Sequence, residues 1–208
     1  MRANVAVALV LVALLAFGCA SDVVRPDVVY VGTRASYDRV LKNWTREGKL
    51  YREFDTRLMV WATLLSEDFI KAYLSEEART REWDQAKFLR KLSEYKRRYK
   101  NVIPFQLVVL THEKEWDDFY KPRSSWDVFL LTDDGRRVDP IAIRQASLEP
   151  ESSKIMFPFL SDWSSVYVVT FPAISPEGDR YWDENTKSLK LVIAGPSGRI
   201  ELVWKFGK

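Results

Sequence analysis

The side chains that serve most readily as a catalytic base and as a nucleophile each occur once in this chain. His112 is the only histidine and Cys19 the only cysteine among its 208 residues. A Ser-His-Asp triad would depend on His112, but no Gly-x-Ser-x-Gly segment is present to hold a serine on a strained turn. His112 follows a β-rich segment, and the simpler interpretation is a solvated residue at a strand end. We therefore predict no catalytic residue of this kind.

Carboxylates could instead bind a metal ion. The two acidic clusters are Glu113, Glu115, Asp117 and Asp118 in one segment and Asp133, Asp134 and Asp139 in another. Neither has the Asp-x-Asp-x-Asp-Gly pattern with a trailing Glu that is typical of a calcium loop. Turn formation explains Asp133-Asp134-Gly135, because Asp and Gly tolerate turn dihedral angles. One histidine and one cysteine do not supply a zinc site, so we predict no metal and no cofactor.

Paired acids could also cleave glycosidic bonds. Glu76, Glu77 and Glu82 form the densest group on a predicted helix, but the adjacent Glu76 and Glu77 point in different directions. We predict that the protein is not an enzyme. The alternative is a hydrolase whose acidic residues come together only in the fold.

Cys19 lies at the end of the most informative segment of the chain. Arg2 makes the N-terminal region positive, residues 5–17 are nearly all Val, Ala and Leu, and Ala16-Phe17-Gly18-Cys19 follows. This segment resembles the signal peptide of bacterial lipoproteins, with Ala16–Cys19 as the lipobox. The resemblance implies cleavage before Cys19 and lipidation of its thiol and amine. The alternatives are an ordinary cleaved signal or an uncleaved anchor, with Cys19 incidental.

The resemblance also implies a location. Residues 1–18 would be a helical signal peptide and 19–27 a tether, which would leave the mature protein anchored by lipid at the periplasmic face of a membrane. Ala20 and Ser21 follow Cys19 without an Asp. In a Gram-negative host this resembles sorting to the outer membrane rather than retention in the inner one.

Composition limits the partners. The net charge of +3 is too small for a general nucleic-acid-binding protein, so we predict no nucleic-acid partner. Eight Trp, nine Tyr and eleven Phe favour strands and a dense core.

The periodicity of the chain predicts mostly strands. Ser36 caps a helix that runs through Trp44 and ends at Gly48. One long strand spans 50–65, and alternating residues fall on one of its faces: Phe54, Thr56, Leu58, Val60, Ala62 and Leu64. Two helices follow, one after the cap Ser66 and one from about Asp84 to Tyr99. The remaining segments with a strand pattern are 28–31, 105–111, 126–132, 136–144 with an interruption at Pro140, 166–171, 189–194 and 200–204.

These segments predict a mainly β fold. We expect residues 28–208 to form one domain, an Ig-like antiparallel β-sandwich with a pair of α-helices inserted at about 66–100.

The second predicted helix carries a basic face that could contact an anionic surface. Its candidate residues are Lys87, Arg90, Lys91, Arg97 and Arg98, with Lys96 and Lys100 nearby. Basic residues beside a membrane contribute about 1 kcal/mol each near anionic lipid. The alternative is an ordinary solvated face opposite a core stripe.

Three tryptophans in predicted loops could stack on a ligand such as a sugar. They are Trp116, Trp163 and Trp182, and the alternative is that they cover the core. No small-molecule ligand can be named from them.

Together these features predict a cell-envelope lipoprotein that acts as a non-catalytic binding or scaffolding module. Its partners would be the membrane, through the lipid on Cys19, and an envelope protein. The alternatives are an envelope hydrolase and a structural component of a secretion or motility complex.

Overall fold

The computed structural model describes residues 33–52, 54–147 and 150–206. The predicted signal peptide, the tether, Cys19 and the strand expected at 28–31 lie outside the described residues. In chain order the elements are α1 (Arg34–Trp44), β1 (Thr45–Arg52), β2 (Asp55–Leu64), α2 (Glu67–Thr80), α3 (Gln85–Arg98), β3 (Val102–Thr111), a 3-10 turn (Lys114–Trp116), β4 (Asp127–Thr132), β5 (Arg137–Val138), β6 (Ala142–Ala146), α4 (Pro150–Met156), β7 (Ser165–Pro172), β8 (Ser188–Gly195) and β9 (Gly198–Lys205).

The strands form two antiparallel sheets, as the mainly β prediction requires. One sheet has the order β1-β2-β3-β7-β6 and the other the order β5-β4-β8-β9. Their facing side chains form a shared core, which includes Leu58, Val60, Phe105, Leu107 and Tyr167 from the first sheet and Leu130, Leu191, Ile193, Leu202 and Trp204 from the second. The two sheets therefore pack face to face.

The alternation predicted for β2 is confirmed. Leu58, Val60, Ala62 and Leu64 point into the core between the sheets. Trp61 lies on the opposite face and stacks on Phe159, with the ring centroids 5.6 Å apart. A strand buried on both faces explains why apolar residues occupy both sets of alternating positions.

Both predicted helices between β2 and β3 are confirmed, and so is the predicted cap Ser66. The Ser66 hydroxyl accepts a hydrogen bond from the Phe69 N–H at 3.1 Å, and the Asp84 carboxylate accepts one from the Lys87 N–H at 2.6 Å. These bonds satisfy amide groups that the first turn of a helix leaves free. A second apolar cluster lies on the helical side of the molecule, with Tyr37 and Leu41 from α1, Phe69, Ile70 and Leu74 from α2, Trp83 before α3 and Phe157 after α4.

The predicted limits of the first helix, the cap Ser36 and the end at Gly48, are both wrong. The cap is Thr33, whose hydroxyl accepts a hydrogen bond from the Ser36 N–H at 3.3 Å. The helix ends at Trp44, and Gly48 lies in β1 opposite Val60 of β2. A Cβ atom at Gly48 would lie 2.4 Å from the Cγ2 atom of Ile200 in β9. Glycine is therefore needed because the second sheet approaches the backbone there, and not because a helix stops.

The single strand expected over 50–65 is also wrong. Residues up to Arg52 belong to β1, and the chain turns before β2 begins at Asp55. β1 is an edge strand whose exposed Glu47 and Lys49 form an ion pair at 2.7 Å. Its charged sequence suits an edge, where charge discourages pairing with another chain.

The strand expected over 136–144 divides between the two sheets. β5 pairs with β4 in the four-stranded sheet, whereas β6 pairs with β7 in the five-stranded sheet. Pro140 lies in the crossing, where its missing N–H cannot interrupt a ladder. The short helix α4 was not predicted.

A buried carboxylate joins two of the helices. Glu76 accepts hydrogen bonds from Arg79 at 2.9 and 2.6 Å, and the Arg34 guanidinium of α1 lies 3.6 Å away. The bonds from Arg79 outweigh burial and lower the pKa of Glu76 below its ordinary value of 4.5. The charged form is therefore favoured in the folded state.

We expect Glu76→Gln to lower the free energy of unfolding at neutral pH by about 1–3 kcal/mol, because it removes a charge that Arg79 and Arg34 neutralise. A lowered carboxyl pKa stabilises the fold above pH 4.5, and this contribution is lost as the pH falls through the folded-state value. The stability difference between wild type and variant should therefore shrink in acid, as measured by urea unfolding at several pH values. Glu184→Gln, at an exposed position, is the control. A difference independent of pH would contradict this role of Glu76.

Candidate functional site

The basic face predicted for the second helix lies on α3. At 3.6 residues per turn, the five candidates Lys87, Arg90, Lys91, Arg97 and Arg98 fall within an arc of about 120°. None of the 14 side chains of α3 is fully buried, so the helix lies at the outside of the molecule. We call these five residues the basic face.

Among the described residues, three of the five cations form no ion pair with a carboxylate. Glu94 lies near two of them: the bond from Lys91, and then the charges of Arg90 and Arg97, lower the pKa of its carboxyl. Lys91 pairs with Glu94 at 3.0 Å, and the Lys87 ammonium lies 4.8 Å from the centre of the buried Trp83 ring. Among the described residues, no carboxylate oxygen lies within 4.0 Å of Arg90, Arg97 or Arg98. These three guanidinium groups are exposed and available to an anionic surface.

The inner side of α3 is only partly covered. Its apolar stripe consists of Phe88, Leu92, Tyr95 and Tyr99, which pack against the second apolar cluster but stay half-buried. Leu89, beside this stripe, is 53% exposed. The helix is therefore held by moderate packing on one side and presents charge on another.

A cleft of about 320 Å³ opens beside this stripe. Its apolar walls include Leu65, Ile70, Leu92, Tyr95, Tyr99 and Trp182. Burial raises the pKa of Tyr95 to about 12, so its phenol is neutral at physiological pH. We call this space the α3 cleft.

The connection between α3 and β3 fixes one end of the α3 cleft. The Ala173 N–H donates to the Asn101 carbonyl at 3.1 Å, and the Leu65 N–H donates to the Pro104 carbonyl at 2.9 Å. These bonds tie the start of β3 to the end of β7 and to the entry of α2. The walls of the cleft are therefore anchored to the sheet.

The three tryptophans proposed for ligand stacking do not form one site. Trp116 is partly buried, packs edge-on against Trp126 at 6.1 Å and lies 5.7 Å from the Arg57 guanidinium. Trp163 is 86% exposed, next to the ion pair of Lys154 with Asp162. Only Trp182 lines the α3 cleft.

Trp182 is held in place within the long loop between β7 and β8. Its ring stacks on Phe206 with centroids 5.5 Å apart and packs edge-on against Trp44 at 6.4 Å. The preceding Tyr181 N–H donates to the Ala173 carbonyl at 3.0 Å, and the following Asp183 carboxylate accepts from the Thr186 N–H at 3.0 Å. A tryptophan fixed in this way can present a rigid wall to a ligand.

In the acidic cluster around Asp117, the carboxylates of Asp117 and Asp118 accept hydrogen bonds that hold neighbouring segments together. The Tyr167 hydroxyl donates to Asp117 at 2.6 Å, and the Ser165 hydroxyl donates to the same carboxylate. Burial, and then the bond to Asp117, raises the pKa of Tyr167 above its ordinary value. The buried Asp118 accepts from the Ser125 N–H at 2.9 Å and so shapes the loop that leads to β4.

The remaining candidates for chemistry also lie apart. His112 is exposed directly after β3, and its backbone N–H donates to the Arg57 carbonyl. Within residues 33–52, 54–147 and 150–206, no three His, Cys, Asp or Glu side chains are grouped so that they could hold a metal ion.

None of the helices in the described part of the chain has both the length and the apolar character needed to cross a membrane.

Sequence reasoning found the basic face but not the α3 cleft. The cleft combines the apolar stripe of α3 with Val102 and Pro104 at the start of β3 and with Trp182, some 80 residues further along the chain. The only indication in the sequence was Lys100, which follows the apolar stripe of the helix directly. The part of the wall formed by Trp182 comes from a distant loop, and a loop has no periodic pattern from which its position could be predicted.

The chain matches no family model and no curated protein. A solved structure described as a novel protein of unknown function from Burkholderia pseudomallei is 14% identical, with a TM-score of 0.41 over 83% of this chain and 88% of that one. A likeness at this level carries no argument about function.

Proposed function

We propose that this protein is a cell-envelope lipoprotein whose folded domain is a non-catalytic binding module. The lipid on Cys19 would anchor it, and the basic face of α3 would contact anionic headgroups of the same membrane. The observation that carries the proposal is the set of three exposed guanidinium groups, on Arg90, Arg97 and Arg98, without carboxylate partners among the described residues. The location at the periplasmic face, and at the outer membrane in a Gram-negative host, is part of the same proposal.

The ion pairs and hydrogen bonds of the acidic side chains support a role without catalysis. Glu76 pairs with arginines, and Asp117 and Asp118 accept hydrogen bonds that hold a loop and a strand. A glycoside hydrolase needs two carboxylates about 5–10 Å apart in a cleft, one of them free to give a proton. Of the acids described, Glu67 alone lines the α3 cleft, and it pairs with two lysines. Asp127 and Asp139 line another pocket together, and the Arg137 guanidinium donates to both.

The strand order supports an Ig-like sandwich as the finer description of the fold. If β2, β3, β7 and β6 correspond to strands A, B, E and D, then β5, β4, β8 and β9 correspond to C′, C, F and G. These are the two sheets of an Ig-like domain. The helices α2 and α3 would then be an insertion between strands A and B, and β1 an addition at the edge.

An envelope protein partner, as in a secretion or motility complex, is the second candidate. The exposure of Trp163, together with Ile155 at 51%, favours it, because large exposed apolar side chains are typical of contact surfaces.

Charge reversal on α3 tests the membrane contact. The triple variant Arg90→Glu, Arg97→Glu, Arg98→Glu, in a chain that starts at Ala20 and carries no lipid, should bind anionic vesicles at least about a hundredfold more weakly than the parent. Each cation near an anionic surface contributes about 1 kcal/mol, so losing three accounts for this factor. Vesicle sedimentation at low salt measures the binding, which added salt should also weaken.

The matched control reverses three exposed cations elsewhere, Arg52, Lys121 and Arg123. It changes the net charge equally, so a surface contact on α3 predicts near-normal binding by this control. Equal losses in both variants would show that only net charge matters. An absence of vesicle binding by the parent chain would also reject the proposed contact.

A further inference from the structure

The α3 cleft has the walls of a small-ligand site. Its volume of about 320 Å³ is near the lower end of the range for small-molecule pockets, about 300–1,000 Å³. Leu92, Tyr95 and Tyr99 of α3 face Leu65 and Ile70 of the α2 segment, and Trp182 adds an aromatic wall from the loop before β8. These walls favour an apolar group of limited size.

The neutral hydroxyls in the lining are those of Ser66, which accepts a hydrogen bond from the Phe69 N–H, and of Tyr95 and Tyr99. The remaining neutral walls are hydrocarbon side chains and the Trp182 ring: Leu65, Ile70, Leu92, Val102 and Pro104. A ligand segment inside the cleft should therefore be apolar, because a buried polar group without a partner costs about 1–3 kcal/mol.

Lysines lie at the edge of the same cleft. Lys96 shares Glu67 with Lys71, at 2.9 and 2.8 Å respectively. Lys100 lines the cleft and is exposed, and among the described residues no carboxylate oxygen lies within 4.0 Å of its ammonium. Of the residues that line the cleft, Lys96, Lys100 and Glu67 together carry one net positive charge, and Lys71, which shares Glu67, is not part of the lining. A ligand with a single anionic group complements this charge.

We propose that the α3 cleft binds a free single-chain anionic amphiphile, with its chain between α2, α3 and Trp182 and its headgroup at Lys100. A medium-length alkyl carboxylate has this chemistry. The small volume favours one chain over the two chains of a bilayer phospholipid. This inference goes beyond the membrane contact of α3, because Lys100 is not part of the basic face and Arg90, Arg97 and Arg98 do not line the cleft.

The test uses the full chain in nanodiscs of zwitterionic lipid and octanoate with bromine on its terminal carbon. Bromine quenches tryptophan fluorescence on contact, so binding should give saturable quenching that is largely lost in Trp182→Phe. Lys100→Glu should weaken the apparent affinity about tenfold, because it replaces attraction by repulsion at an exposed position that does not affect folding. Lys121→Glu, at an exposed position outside both the cleft and the basic face, is the matched control.

Each outcome decides the matter. Trp182-dependent quenching that weakens in Lys100→Glu and is unchanged in Lys121→Glu supports the proposal. Quenching that does not saturate, that persists in Trp182→Phe or that is unaffected by Lys100→Glu overturns it. Equally strong binding of the matching bromo-alcohol would reject recognition of the anion. Quenching of Trp182 by brominated phospholipid in the disc would reject a free single chain. None of these outcomes decides whether the basic face binds anionic vesicles, which the charge reversal of Arg90, Arg97 and Arg98 tests separately.

Discussion

Phe105→Ala should lower the free energy of unfolding by about 3–5 kcal/mol. Phe105 in β3 is 0% exposed, and its ring packs edge-on against Phe171 at 5.8 Å and against Trp204 at 5.1 Å. Phe171 belongs to the same sheet, whereas Trp204 belongs to β9 of the other sheet. Removing the ring would therefore leave a cavity between the two sheets, where neighbours anchored in β-strands can relax only partly.

Denaturant unfolding followed by tryptophan fluorescence would measure this loss. Phe54→Ala makes the same chemical change at the turn between β1 and β2, where the side chain is 104% exposed. It should alter stability by no more than about 0.5 kcal/mol. Similar losses in the two variants would mean that β3 and β9 do not share a core, which would contradict the packing of the sheets.

The strands could be predicted because burial imposes a short period on the sequence. The alternation at Leu58, Val60, Ala62 and Leu64 reflects one face of β2 meeting the other sheet. The caps Ser66 and Asp84 were equally local signals, since each bonds an amide three residues away. Elements whose determinants lie within a few residues were therefore visible in the sequence.

The errors arose where a distant strand decides the local structure. Glycine is typical of a helix end, but Gly48 is required because the side chain of Ile200 in β9 approaches its backbone. Pro140 marked an interruption correctly, yet nothing near it indicates that the chain changes sheets there. Gly48 and β6 depend on contacts with strands that lie 20 or more places away in the chain, which no periodicity reports.

The same distinction applies to the candidate site. The basic face could be predicted because the angular spacing of a helix places residues such as Arg90, Arg97 and Arg98 on one side. The surroundings of the three loop tryptophans could not be predicted, because loop residues follow no period. Trp116 packs at the edge of the core, Trp163 is exposed and Trp182 lines the α3 cleft.

Cys19→Ser is expected to abolish lipidation and to leave an uncleaved precursor. The lipobox resemblance makes the Cys19 thiol the acceptor of the lipid and the position before it the cleavage site, and a serine hydroxyl replaces neither function. Labelling of growing cells with an alkyne analogue of palmitate, followed by mass measurement of the N-terminus, would detect both changes. Ser21→Ala, two residues beyond the cleavage site, should mature normally. Normal processing and labelling of Cys19→Ser would remove the basis for calling the protein a lipoprotein.

The triple charge-reversal variant of α3 separates the two proposed membrane contacts by their size. A buried acyl chain contributes about 0.8 kcal/mol per CH₂ group, and two or more chains anchor a protein stably, whereas each cation of α3 contributes about 1 kcal/mol. Reversing Arg90, Arg97 and Arg98 in the lipidated protein should therefore leave it in the membrane fraction. The basic face would instead set how the domain lies against the surface, measurable as altered protection of α3 from proteolysis on anionic vesicles. Release of the lipidated triple variant into the soluble fraction would mean that α3, and not the acyl chains, provides the anchor.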